Sequence, residues 1–149
     1  MLTLVAFVVA LGLLIAVHEY GHYRVAVACG VKVLRFSVGF GKPLLTWRKK
    51  GSPTEFVLCM LPLGGYVRML DEREAPVDAA ERHLAFNTQP LRSRAAIVAA
   101  GPAANLLLAV ALYAVVNWSG VEEPKPVLAS PSIGSLAEKA GLRGGAWVS

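Results

Sequence analysis

Only two cysteines occur in the 149 residues, and no C-x-x-C is present, so no zinc knuckle competes for a metal. Charge is also scarce. Charged residues make up 17% of the chain and hydrophobic residues 55%, with a mean hydropathy of +0.52, which argues against an ordinary soluble domain. Charge is missing altogether from Met1 to Val17, where only Thr3 and Gly12 interrupt the apolar run, and again from Ala95 to Val116. Each stretch approaches the roughly 20 residues needed to cross about 30 Å of hydrocarbon. The first lacks a basic leader and a small-residue cleavage site, so it is expected to be a retained span rather than a signal peptide. Internal repeats, low-complexity tracts and any base-stacking platform are absent. The net charge of +5 therefore points to topology, not to nucleic acid. No Lys or Arg precedes Arg24, and 12 of the 15 lie between Arg24 and Arg94. The positive-inside rule then predicts that residues 24–94 face the cytosol, with the N-terminus and the residues after 118 outside. Cys29 and Cys59 fall on the cytosolic side, where they are expected to be reduced and unpaired.

The stretch that carries chemistry is His18-Glu19-Tyr20-Gly21-His22, an H-E-x-x-H at the end of the first apolar run. On a helix, residues four apart share a face, so both imidazoles can reach one metal ion. Glu19 follows the first ligand, where a carboxylate can serve as general base to a water without ligating the metal. Such a motif can arise by chance on an amphipathic helix, with the two histidines merely hydrogen-bonded. In an apolar span, however, ligating side chains are costly and mark function. At 1.5 Å per residue, His18 lies about 24 Å along the helix, inside the membrane toward its cytosolic side.

The first helix is expected over Leu2–Cys29, with Gly30 as its stop. Val31–Phe40 alternates: Leu34, Phe36, Val38 and Phe40 share one face, and Arg35, Ser37 and Gly39 the other. Gly39–Pro43 is expected to end that strand, and Trp47–Pro53 to form a basic turn. A second strand, Thr54–Leu61, is apolar on both faces and is expected to stop at Pro62, before a short strand near 63–69. A strand of that kind is buried in protein or dips to membrane depth. Asp71–Glu81 reads as a mobile acidic loop and a poor source of a further ligand, since ligands need a supporting shell. His83 is a lone surface histidine. The second span is expected at 95–118, with Pro102 starting or kinking the embedded part. Asn105, an amide in an apolar helix, either joins helix to helix or faces an active-site cavity. Glu122–Pro126 reads as a linker, and residues 131–142 as a strand, a turn and a short helix capped by Gly141.

Four segments in this order resemble the site-2 protease family of intramembrane zinc metalloproteases: HEYGH at 18–22, SVGFGKPL at 37–44, LPLGGYVRMLDE at 61–72 and FNTQPLRSRAAIVAAGPAAN at 86–105. H-E-x-x-H alone is shared by many zinc hydrolases; the ordered set is specific. The resemblance implies a polytopic α-helical membrane protein. Residues 1–29 would be the first transmembrane helix and 95–118 the second. Residues 30–94 would form membrane-associated β-structure and a loop on the cytosolic side. Residues 119–149 would be a linker and the start of an outward-facing PDZ region, with an S-x-A-x-x-A-G-L-like segment at Ser135–Leu142; Gly145-Ala146 departs from the usual Gly-Asp. His18 and His22 would ligate Zn2+ and Glu19 would be the catalytic base. Gly64, Gly65 and Asn105 would contact substrate. The family's third ligand is an Asp in an L-D-G motif. No L-D-G occurs here, and Leu70-Asp71 is followed by Glu72, so the chain is expected to be an N-terminal fragment that is inactive alone.

The implied reaction is proteolysis of the transmembrane helix of a single-span regulatory protein, an anti-sigma factor of the sigma-E stress response, within the bacterial inner membrane. Zinc-activated water would attack with Glu19 as base. Lipid bilayer is the other partner, and nucleic acid is not. Two other classes stay open. A non-catalytic membrane protein that binds transmembrane helices would lack zinc. A soluble or monotopic zinc hydrolase would be extracted from membranes by carbonate.

Overall fold

The computed structural model describes residues 1–120 and 129–144. The expected linker at Glu122–Pro126 and the Gly145-Ala146 departure lie outside the described residues. The chain divides into two compact units, Met1–Leu112 and Tyr113–Ser149.

Helix α1 spans Leu2–Ala28, with Cys29 as its C-cap. Its end follows from Gly30, whose φ of +80° suits a residue without a β-carbon. Gly30 N–H donates to Val27 O at 3.1 Å and Val31 N–H to Ala26 O at 2.9 Å, so the last carbonyls are satisfied by a Schellman turn. Helix α2 spans Leu91–Ser119 and contains Pro102. It begins four residues before the expected span because hydropathy marks the apolar stretch, whereas the helix starts directly after Pro90 and carries Arg92 and Arg94 in its first turn. Both helices are long and apolar enough to cross a membrane. Leu4, Phe7, Leu106 and Leu107 are all more than half exposed. In water that surface would form a large apolar patch.

Strands β1 (Val33–Arg48) and β2 (Glu55–Met69) form one two-stranded antiparallel sheet. The start of β1 pairs with the end of β2, from Val33↔Met69 to Val38↔Gly65. The end of β1 pairs with the start of β2, from Pro43↔Cys59 to Arg48↔Glu55. Arg35–Val38 also lie beside Glu55–Leu58, where the partners advance in step.

This corrects the three-strand expectation. Gly39–Pro43 does not end β1, because Gly39 at φ +86° bends the strand without stopping it. Pro43 falls among register shifts, where a missing N–H costs least. Pro62 does not end β2 either; it lies where β2 passes from one partner limb to the other, between Leu61 and Gly65. The segment expected at 63–69 is the second limb of β2. Trp47 and Arg48 belong to β1, and the turn that follows is closed by Ser52 N–H to Lys49 O at 2.9 Å.

The alternation also fails at Ser37, which is fully buried, while Phe40 is exposed. Ser37 is paired along both edges of its strand, and its hydroxyl donates to Gly39 O at 3.3 Å. Of the strand expected to be apolar on both faces, Val57 is buried while Leu58, Met60 and Leu61 are exposed in this structure.

The core of this unit gathers Ala26, Val31, Val33 and Ile97, with Tyr23, Val67 and Phe86 against them. It lies where α1 ends, β1 starts and α2 begins. The acidic segment is a largely exposed loop, as expected, and it is tied down by side-chain bonds. Glu72 pairs with Arg82 and accepts from Asn87 Nδ2 at 2.8 Å, Glu81 pairs with Lys32, and Glu74 with Arg68. These bonds, with Phe86 N–H to Leu70 O at 2.7 Å, tie the segment to the end of β2, to the residue before β1 and to the stretch that leads into α2.

In the second unit, the described residues include the last turns of α2 and the short α3, Leu136–Lys139. Ser135 caps α3, its side chain accepting from Glu138 N–H at 3.2 Å.

Candidate metal centre

Three elements meet at His18 and His22. Helix α1 supplies both histidines and Glu19, α2 supplies Ile97, Gly101 and Asn105, and β2 supplies Gly64 and Gly65. Close packing of the two helices depends on Gly21. A β-carbon there would lie 2.5 Å from Ala100 O and 2.8 Å from Ala104 Cβ.

One helical turn places the two imidazoles edge to face, with centroids 4.8 Å apart. Their Nε2 atoms are 3.2 Å apart. Two nitrogens bound at about 2.0–2.1 Å to a tetrahedral zinc would be about 3.3 Å apart, so the pair fits one ion. His22 Nδ1–H donates to Ile97 O at 2.7 Å. A carbonyl oxygen can only accept, so the proton of a neutral His22 is on Nδ1 and the Nε2 lone pair is free.

Gly101 keeps the space in front of both nitrogens open. A β-carbon on it would overlap His22 Nε2 and lie 2.7 Å from His18 Nε2. That cradle is the second observation that fits a metal ion. Among the described residues, no group of three His, Cys, Asp or Glu side chains gathers into a metal site. Asp71 is held by Arg73, and His83 is exposed.

Glu19 stands between two cavities. One, of about 380 Å³, is lined by Glu19, His22, Ile97, Asp71 and Arg73 among others. The other, of about 260 Å³, is lined by Leu14, Ile15, His18, Glu19, Gly64 and Asn105. The first reaches the charged segment after β2, and the second is walled mainly by α1. Gly65 lets β2 approach the carboxylate. A β-carbon there would lie 2.8 Å from Glu19 Cγ and 2.7 Å from Ser37 O. Gly64 faces the Phe40 ring.

A model of peptidase family M50 matches residues 6–140. The chain belongs to peptidase family M50, the site-2 proteases. Among its relatives, the regulator of sigma-E protease RseP of Escherichia coli is 50% identical over 95% of this chain and 31% of its own length. The protease RseP of Yersinia pestis is 50% identical over 96% of this chain and 32% of its own length. A protein of Ralstonia nicotianae, provisionally named a zinc metalloprotease, is 53% identical over 96% and 32%. The chain thus spans about a third of the length of the curated relatives it matches.

Of the residues singled out in the sequence, His18, Glu19, His22, Gly64 and Asn105 share one region, and Gly65 touches it. Asn105 reaches both of its expected settings, since its Nδ2 lies 3.4 Å from His18 Nδ1 and it lines the smaller cavity. Ile97 and Gly101 were not anticipated. A Gly-Pro pair inside an apolar span was the signal available for Gly101. Ile97 acts through its backbone, which no side-chain pattern reports.

Proposed function

We propose that this chain carries two of the zinc ligands and the catalytic base of a membrane metalloendopeptidase. The observation that supports it most is the Nε2 pair of His18 and His22, 3.2 Å apart over Gly101 in a helix with an apolar surface. Zinc, when bound, polarises the scissile carbonyl and acidifies the attacking water. Glu19 accepts the water's proton and passes it to the leaving amine. Ile97 O holds His22 in the ligating tautomer. The third protein ligand comes from outside the described residues, and this chain alone is inactive.

The substrate is the transmembrane helix of a single-span regulatory protein, an anti-sigma factor, cut in the bacterial inner membrane. The sigma-E names of relatives at about 50% identity support that reading. A helical substrate must unwind before its carbonyl reaches the site, because helix bonds shield the backbone. The second limb of β2, with Gly64 and Gly65, and the Asn105 amide would hold the extended form. The exposed Leu58, Met60 and Leu61 suit a sheet that reaches membrane depth. The protein is polytopic, with residues 24–94 on the cytosolic side. Residues 1–29 and 95–118 form the first two spans, and 119–149 a linker and the start of an outward PDZ region.

The test is zinc content and cleavage of a model membrane-helix substrate by the protein at its full encoded length, beside Glu19→Gln. Cleavage by wild type, with a zinc-loaded but inert variant, supports the reading. Zinc-loaded wild type that leaves a cleavable substrate intact overturns it in favour of a non-catalytic helix-binding protein.

A further inference from the structure

Two hydrogen-bonding contacts flank the histidine pair, and they are not equivalent. On the His22 side, the Ile97 carbonyl can only accept, so the tautomer is fixed. On the His18 side, the partner is a carboxamide, Asn105, whose Nδ2 lies 3.4 Å from His18 Nδ1. An amide can either donate or accept there, and its oxygen and nitrogen are nearly the same shape. The choice decides what His18 can do. If the amide donates, His18 carries its proton on Nε2, facing His22 Nε2 across 3.2 Å, and cannot ligate through that atom. If the amide accepts, the proton lies on Nδ1 and both Nε2 lone pairs face the space that Gly101 leaves open. Asn105 Oδ1 is buried and has no partner, so an acceptor lies beside His18 with nothing to accept.

We propose that Asn105 is a positioning residue for His18: its Oδ1 accepts the Nδ1–H and fixes the tautomer in which Nε2 is a ligand, as Ile97 O does for His22. Rotation of the amide about its last side-chain bond exchanges the two atoms with little change of shape. The imidazole stays neutral, with its one ring proton on Nδ1 rather than Nε2. The same rotation puts N–H donors where the unpartnered oxygen lies, beside the cavity that Asn105 lines with Glu19 and Gly64. This inference rests on the zinc reading above and adds a role for the amide that does not need substrate.

The test uses the detergent-purified protein at its full encoded length, with 15N-labelled histidine. Chelator competition gives its zinc affinity, and the chelator-stripped protein gives the ring-nitrogen signals. Asn105→Leu is expected to weaken zinc binding by about ten- to a hundredfold, the usual effect of losing a residue that orients a ligand. Asn105→Asp, which can only accept, is expected to hold zinc at least as tightly as wild type. In the stripped protein, His18 should carry its proton on Nδ1 in wild type and Asn105→Asp. Equal zinc affinity in Asn105→Leu and wild type, or equal losses in the two variants, overturns the inference. Should Asn105→Leu fail to fold, a His18 protonated on Nε2 in both wild type and Asn105→Asp overturns it. Zinc affinity in wild type that is unchanged by His22→Ala overturns the zinc reading itself, which keeps the two failures apart.

Discussion

A β-carbon on Gly101 would overlap Nε2 of His22 and lie 2.7 Å from Nε2 of His18, so any side chain at this residue presses on the imidazole pair. Gly101→Ala therefore sets local preference against function. Alanine favours a helix over glycine by about 1 kcal/mol. The imidazole must nonetheless swing aside, which breaks the 2.7 Å bond from His22 Nδ1–H to Ile97 O. The expected result is a folded, helical protein whose zinc affinity falls by about tenfold or more, the scale of a lost orienting contact. Circular dichroism with zinc titration checks both halves.

Gly65 plays the corresponding part for Glu19, the proposed base. A side chain there meets Glu19 Cγ on one side and Ser37 O on the other. Gly65→Ala should leave the two imidazoles, and hence zinc content, unchanged, while displacing the carboxylate. A misplacement of about 1 Å costs on the order of a hundredfold in rate. Cleavage assays on the protein at its full encoded length, at matched zinc occupancy, separate this outcome from loss of metal.

The helix pair depends on Gly21, which brings α1 within contact of Ala100 and Ala104. Gly21→Val forces the helices apart or strains them, at a cost of about 1–3 kcal/mol for overpacking. Because Ile97, Gly101 and Asn105 all reach the histidines from α2, zinc affinity should fall together with stability. A variant that lowers the unfolding midpoint but keeps full zinc affinity would show that α2 does not set the site.

Local chemistry was legible in the sequence, and long-range closure was not. His18, Glu19 and His22 are within one turn of one helix, so spacing alone puts them together. Gly30 likewise marks the end of α1 by a local backbone requirement. The strands are different. Gly39, Pro43 and Pro62 are ordinary stop signals, yet β1 and β2 pass through them because each strand has two partner limbs, and that pairing is a tertiary fact. Asn105 stood out as an amide in an apolar span, but its partner His18 lies 87 residues away. Gly101 acts by what it lacks, and the need for that space appears only once α2 lies beside His22.

The segment after β2 supplies a pH-dependent prediction outside the two apolar helices. Asp71 accepts from the Arg73 guanidinium at 2.5 Å and from the Arg73 backbone N–H at 2.9 Å. The Arg73 side-chain bonds lead in holding the carboxyl below its usual range, against a smaller opposing effect of burial. A carboxyl with a lowered folded pKa favours the folded state fully above its unfolded value, near 3.9, and loses that advantage as pH falls through the lowered value. The clasp is therefore expected to hold through neutral pH and to loosen only in acid. Asp71 and Arg73 both line the larger cavity beside Glu19, so loosening should open that wall. Hydrogen exchange at the Arg73 amide, followed from pH 7 downward with correction for intrinsic rates, should show protection lost only below the ordinary carboxylate range. Asp71→Asn should abolish that transition. Arg73→Met should move it up toward the ordinary carboxylate value, because the guanidinium that lowers it is gone; a transition that stays in place would assign the protection to some group other than this pair.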